Sequence, residues 1–431
     1  MKTPAFPLLT LGFVLGAFLS NPSNGAEPAK STLDYNIDIK VVSTGFDGKT
    51  SWAQARAGSI QGDKPTVVLT MQKSLLETSD VYFAINDIRT DNLGATWSAP
   101  KEHSTLGRRN RIDGVVVGVA DFTPKWHAAT KKLLGTGTTS QSVNDQKLSD
   151  GGGQPVFSFY DAQNRTWSPW AQIPMPDEPK FFHASAGCSQ RVNLPNGEIL
   201  LPVYYKARGV NHYSTTILRC SFDGKEMLCL DYGDELTLPF DPKTIPKTQS
   251  YNQQIFNSRQ QGLFEPSLTV YRGKYFLTLR NRLSGYVTSG KDGQHFDPPR
   301  PWTFDDGTSL GNYNTQQHWI SHSDGLFLVY TRRGANNDHV FRHRAPLLIA
   351  QVDPERLCVI RSTERILIPE KGADLGNFDI TNVNADQTWV IAAEGMHTQP
   401  TTGSPVQYGA NNNVYVARII WNQPNQALNG N

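Results

Sequence analysis

At 431 residues, the chain is long enough for one large domain or two smaller ones, and 41 Lys and Arg against 39 Asp and Glu leave a formal charge of only +2. Near-neutrality excludes a general nucleic-acid binder, whose affinity rests on a concentrated basic surface. Plentiful Gly, Pro and aromatic residues without long heptad patterns predict an all-β chain of short strands joined by tight turns.

The chain opens with the pattern of an export signal. Lys2 supplies a positive start, Phe6 to Leu19 an apolar run, and Ser23-Asn24-Gly25-Ala26 small residues for cleavage. The run is short for a membrane anchor, and no later segment has the apolar length of a membrane-spanning helix. Residues 1–26 are therefore predicted as signal peptide. Residues 27–431 form the mature domain, secreted or periplasmic, in an oxidising compartment.

From about residue 35, short apolar or alternating runs are separated by Gly, Asp and Asn turns. Thr66 to Thr70, Glu198 to Val203, Lys274 to Leu279 and Leu326 to Tyr330 have the lengths of strands. Cys188, Cys220, Cys229 and Cys358 contain no CxxC pair, which argues against a structural zinc site. Cys220 and Cys229 flank the turn Ser221 to Lys225, where a hairpin brings them within bridging distance; two unpaired thiols are the alternative.

A degenerate repeat overlies these strands. Its clearest copy is Thr90-Asp91-Asn92-Leu93-Gly94-Ala95-Thr96-Trp97. Weaker copies are Tyr160 to Trp167, Ser221 to Gly224 and Ser289 to Phe296. The side chain of Asn or Asp bonds the amides of its own turn, Gly supplies a positive φ, and the aromatic packs between strands. The repeat resembles the Asp-box of sialidases, with Asn92 in the Asp place. That resemblance implies a sialidase-type six-bladed β-propeller, about 65 residues per blade, with the boxes at outer hairpins and no catalytic part to play.

The resemblance extends from about Trp52 to Glu394. It implies an arginine cluster holding a carboxylated sugar, with Arg56 in Gln54-Ala55-Arg56-Ala57-Gly58 as the first member. Phe264-Glu265-Pro266-Ser267 followed by the strand ending at Arg280 is the best local match. It makes Glu265 and Arg280 the central pair, against the alternative of an ordinary cross-strand ion pair. Arg344 or Arg342 is the third arginine. Glu394 is similar to the family's late Glu that orients the first arginine. Asp80 stands near the acid/base position, with Asp87 as its rival.

The family's nucleophile is a tyrosine, and Phe378 occupies the corresponding stretch Leu375 to Ile380. A phenyl ring has no oxygen to attack with. Three routes stay open: another tyrosine such as Tyr313 or Tyr204, direct attack by water, or sugar binding without cleavage. Asn312 to Trp319, including His318, is dense in amides and aromatics suited to sugar hydroxyls and faces. Trp126-His127 and Phe181-Phe182-His183 are expected on the same central face. No HExxH or GxSxG motif points to a metalloprotease or a serine hydrolase. The expected activity is an exo-acting glycoside hydrolase that releases a terminal carboxylated sugar from a glycan without a cofactor. A non-catalytic carbohydrate-binding propeller, or a glycosidase of the same fold acting on a different sugar, is the alternative.

Overall fold

The computed structural model describes residues 1–2, 33–62, 64–76, 81–148, 151–210, 212–239, 261–398 and 402–427. The predicted signal segment beyond Lys2, and Asp80, lie outside them. The described residues carry six sheets in a β-propeller arrangement, and the long neighbouring strands of each are antiparallel.

Strand alternation explains how the sheets pack. Successive side chains of a strand point to opposite faces, so one strand can serve two interfaces. In Thr66–Leu75, Val67, Leu69 and Met71 join Trp389, Ile391 and Val414 on one side. Val68 joins Phe122, Leu133 and Val156 on the other. The same division recurs along the chain. Leu134 and Phe157 pack with Leu201 and Val203, and Leu200 and Ile217 with Leu268 and Leu277. Phe276 and Val287 pack with Leu328 and Ala350, and Val329 and Ile349 with Val390 and Ile419. Both faces of each sheet are thereby buried, which accounts for the near-continuous apolar runs in the sequence.

The outer hairpins carry the predicted boxes. In the first, the Asn92 side chain accepts the Thr96 amide at 2.9 Å, and the Thr90 hydroxyl accepts the Gly94 amide at 3.0 Å. Gly94 takes φ +80°, and Trp97 packs against Trp389 at 6.1 Å between centroids. Asp161, Asp223 and Asp292 each accept the amides two and three residues ahead. Asp353 does the same with Glu355 and Arg356, a fifth copy that the sequence reading missed because Pro354 and Leu357 stand where Gly and the aromatic were sought.

The last sheet has no such outer hairpin. Its outer strand is Tyr35–Ser43, which pairs with Val414–Trp421 over Tyr35↔Trp421 to Ser43↔Val414. The two ends of the described body thus complete one sheet. Trp421 anchors the closure: its ring meets Tyr35 at 5.3 Å and Phe327 at 5.4 Å, and its indole N–H donates to the Thr388 hydroxyl at 3.1 Å. Cys220 and Cys229 face each other across their hairpin as expected, but both are free thiols, so the proposed bridge is absent.

Trp421→Ala is expected to cost about 3–5 kcal/mol, the range for emptying a large buried aromatic site. Ile39→Ala, on the closing strand but 37% exposed, should stay within about 0.5 kcal/mol of the parent. Chemical denaturation checks both; equal effects would contradict the closure described.

Candidate active site

Five of the six sheets share a local device in their innermost segment. Gln54, Asp121, Cys188, Glu265 and Asn314 all adopt left-handed φ, between 45° and 56°. Three of them sit in register breaks, between Ala53 and Arg56, Ala120 and Thr123, and Phe264 and Ser267. Cys188 falls between Ser185 and Val192, where its inner strand is interrupted. A non-glycine residue in this conformation costs on the order of 1–3 kcal/mol. Bulges of this kind re-aim side chains, and here they bring those of five sheets towards one axis.

Arg56 stands at that axis with no exposure. Its guanidinium donates to the Phe378 carbonyl at 3.2 Å, the Cys188 sulfur at 3.1 Å and Gln316 Oε1 at 3.2 Å, and Asp121 lies 3.8 Å away. Burial works against its charge, but nearby carboxylates, Asp379, Asp121 and Glu265, outweigh that and raise its pKa. The Cys188 thiol donates to Asp121 at 2.8 Å. Burial first, then Asp121 and Glu265, hold that thiol protonated.

Glu265 and Arg280 meet as predicted. They form an ion pair at 2.5 Å across the bulged hairpin, and each side chain retains slight exposure, 13% and 11%. Arg280 also donates to Asn314 Oδ1 at 2.8 Å, and Arg344 donates to the Asn314 carbonyl at 2.5 Å. Arg344 faces Asp374 at 3.8 Å. A Cβ on Gly376 would come within 2.5 Å of the Arg344 side chain, so this arginine needs glycine beside it. Arg342 belongs to the same cluster. Burial, then Arg344, Arg280 and Arg282, push its pKa well down. Arg282, which the sequence reading did not single out, is pushed to about 10 by burial and by Arg280 and Arg344.

Other expected site residues are placed differently. Glu394 does not orient Arg56. Its carboxylate accepts the amides of Asn411 and Asn413, the Asn413 side chain at 3.1 Å and the Tyr415 hydroxyl at 2.6 Å, which fixes the turn before the closing sheet's third strand. His318 is fully buried, with Nδ1 2.6 Å from the Ser267 hydroxyl and its ring against Phe378. Burial and Arg56 keep it neutral. The amides of Asn312 to Gln317 are buried too, and Gln316 and Gln317 donate to the backbone of Phe378 and Thr315. Tyr313 is buried, its hydroxyl 2.5 Å from His343 Nδ1 and its ring under the Arg333 guanidinium. Asp87 is structural: it accepts the Trp167 indole N–H at 3.0 Å and pairs with His103 at 2.9 Å.

Phe378 also departs from expectation. Its ring is completely buried with Leu375, Val340 and Ala392, so this position presents no side chain to the site. Its backbone carbonyl does the local work, accepting from Arg56 and Gln316. Trp126 and His127 are at the far ends of the inner strands. There, with Lys125, Arg191, Trp319 and Asp379, they line a separate cavity of about 870 Å³. His183 remains near the site, its ring 5.7 Å from that of Tyr213 and 6.3 Å from that of Tyr204. Asn314 lies in the amide-rich stretch already singled out, whereas Asp121 and Cys188 were missed, each a single polar residue next to apolar inner-strand residues.

No protein-family model matches the chain, and no curated protein matches it in sequence. Solved structures do match in fold. A Trypanosoma rangeli sialidase in complex with the inhibitor DANA superposes with TM-score 0.56 at 12% identity over 89% of this chain. The chain spans 59% of that sialidase's length. The NanB sialidase from Streptococcus pneumoniae gives 0.57 at 10% identity, covering 88% of this chain and 70% of that one. A Dyadobacter fermentans protein of unknown function gives 0.54 at 14%, covering 89% and 99%. The fold is that of a sialidase-type β-propeller. At these identities the comparison speaks for the fold alone.

Two predictions follow from the buried groups around Arg56. Phe378→Tyr places a hydroxyl in an apolar cluster and should cost about 1–3 kcal/mol without conferring sialoside hydrolysis. An unaltered melt together with new activity would contradict the ring's placement. The second concerns Asp379, whose carboxyl burial pushes up to about 6. An unfolded Asp titrates near 3.9. As pH rises between these values the unfolded chain releases a proton that the folded one keeps, so stability falls across that window and stays lower above it. The stability of Asp379→Asn relative to the parent should therefore rise by about 2 kcal/mol from pH 4 to pH 6.5. Parallel stability–pH profiles would refute this.

Proposed function

We propose that the chain is an exported glycoside hydrolase that releases a terminal sugar bearing a carboxylate. We read its six sheets as the six blades of the propeller. The observation that carries the proposal is the Glu265–Arg280 pair at 2.5 Å, with Arg280 and Arg344 both bonded to Asn314 at 2.8 and 2.5 Å. Arg56 forms the floor, since it has no exposure and both its terminal nitrogens are already engaged. Arg280 is the guanidinium a ligand meets, and Arg344 and Arg342 reinforce the positive field behind it. A guanidinium fork suits a carboxylate because it offers two parallel N–H bonds. The sialidase complexes of the same fold support a sialic-acid-like substrate, with Asp80 proposed as acid/base.

A second reading, a propeller that binds such a sugar without cutting it, draws support from the burial of Phe378. The experiment that separates the two is turnover of 4-methylumbelliferyl sialoside alongside calorimetric titration with sialic acid. Hydrolysis supports the enzyme, and binding without hydrolysis supports the lectin-like reading. In either case Arg280→Ala should weaken binding, or lower kcat/KM, by roughly 30- to 1,000-fold, the equivalent of about 2–4 kcal/mol for a charge-paired anchor. Its circular dichroism spectrum should match the parent's. An Arg280→Ala variant that binds or turns over sialoside like the parent would refute the assignment.

A further inference from the structure

We infer that the cavity at the far end of the inner strands is a second ligand site, which takes a single sugar residue bearing one carboxylate and anchors it on Lys125. The inference does not depend on whether the site around Glu265 cuts its sugar or only holds it.

Lys125 lies on Val116–His127, four residues beyond the bulge at Asp121. Its neighbours Phe122, Thr123, Pro124 and His127 are buried, whereas Lys125 is exposed, and its surface opens on the cavity of about 870 Å³. That volume is within the range of about 300–1,000 Å³ for small-molecule sites. The ammonium has one hydrogen-bond partner among the described residues, the Arg191 carbonyl at 2.6 Å. An ammonium carries three donors, which leaves two for a ligand. The wall beside it is tied together across the molecule. Gln190 accepts the Trp319 amide at 2.7 Å and donates to the Trp319 carbonyl at 3.1 Å, which joins the third sheet to the fifth.

The charges of that wall do not cancel. The buried Arg191 guanidinium donates to the carbonyls of Thr123, Lys125 and Leu134 and to the Thr136 hydroxyl, at 2.6–3.3 Å. These partners are dipoles, not counter-ions. Asp379 is the one carboxylate whose charge acts on both Lys125 and Arg191. It is buried too, with Oδ2 accepting the Ala57 amide at 3.1 Å. Two cations thus stand against one acid. Protein surrounds the cavity, so the Lys125 ammonium is poorly solvated and its pKa falls to about 8. His127 and His322 also line the cavity, and burial lowers both, so they add no charge at neutral pH. Arg272 is exposed at the same cavity; solvent screens its charge, which serves to draw an anion in. One further negative charge beside Lys125 balances the wall. A carboxylate supplies it, whereas a phosphate group brings nearly two.

The rest of the lining suits a sugar better than a simple acid. Trp126 packs on the cluster around Phe122 and Leu133 and also lines the cavity, where a pyranose face can lie on its indole. Gln61, Asn193 and Asn382 bring amides to the same wall. Thr123 Oγ1 and Asn193 Oδ1 are buried without a hydrogen-bond partner among the described residues. Buried polar atoms of that kind are normally matched by water or a ligand.

The test is calorimetric titration of Arg280→Ala, in which the site around Glu265 has lost its anchor, with methyl β-D-glucuronide and methyl β-D-glucoside. The same titrations are run on Arg280→Ala combined with Lys125→Met. The inference expects the glucuronide to bind Arg280→Ala, and to bind roughly 30-fold or more weakly once Lys125 is replaced. The uncharged glucoside should be weaker than the glucuronide by a similar factor. Lys125→Met removes a poorly solvated charge, so its thermal melt should not fall. A second measurement needs no variant: the glucuronide should slow reductive methylation of Lys125 at least about tenfold, read by peptide mass spectrometry, and leave the exposed Lys291 unchanged. Glucuronide binding that is lost in Arg280→Ala, that survives Lys125→Met, or that the glucoside equals would overturn the inference, as would methylation of Lys125 at an unchanged rate. None of these outcomes bears on the reading of the Glu265 site, which sialoside turnover and binding test separately.

Discussion

A charged guanidinium with no exposure to solvent needs acceptors and counter-charge gathered around it, and Arg56 imposes that requirement on the centre of this propeller. Desolvating such a group costs several kcal/mol unless its hydrogen bonds and counter-charges are in place. Here they come from four other sheets: the Phe378 carbonyl, the Cys188 sulfur, Gln316 and the Asp121 carboxylate. None of these partners is near Arg56 in sequence. Satisfying one side chain therefore fixes the relative positions of five inner segments, and the site is built on that frame.

The frame also accounts for the left-handed residues. A regular inner strand would send alternate side chains into the two inter-sheet interfaces and leave none directed along the axis. A bulge breaks the alternation once, just where Gln54, Asp121 and Glu265 occur. The strain is held by the apolar clusters on either side of each sheet, and closure of the last sheet by Tyr35–Ser43 keeps those clusters together. Beyond the bulges the same strands run on to a second cavity, where Lys125 is pulled down to about 8, chiefly by burial, with Arg191 adding to it. Asp379 acts on both Arg56 and Lys125, so it links the two ends of the axis electrostatically.

The outer part of the fold was legible in the sequence because its signals are local. An Asp or Asn bonding its own turn needs only a few consecutive residues, and four of five such turns were visible from Thr90, Tyr160, Ser221 and Ser289 onwards. Glu265 and Arg280 were legible for a related reason: one hairpin carries both. The rest of the site was not, because its logic is between sheets. Nothing near Glu394 in sequence shows that Asn411, Asn413 and Tyr415 claim its carboxylate. A residue type says nothing of whether its ring faces the axis or the core, and this is why Phe378 read as a lost nucleophile when its carbonyl is the group that matters. Asp121 and Cys188 escaped notice because a bulge has no sequence signature strong enough to mark them.

The central claim is that the converging ends of the inner strands form a carboxylate-binding sugar site around Glu265 and Arg280. The most direct measurement is a crystal structure of the protein soaked with DANA, the inhibitor seen in the T. rangeli sialidase structure of the same fold. The account predicts the ligand's carboxylate at hydrogen-bond distance, about 2.7–3.0 Å, from the Arg280 guanidinium, with Glu265 beside the sugar ring. A ligand bound only in the cavity at the far end of the inner strands, or an unoccupied Arg280 at saturating DANA, would contradict it.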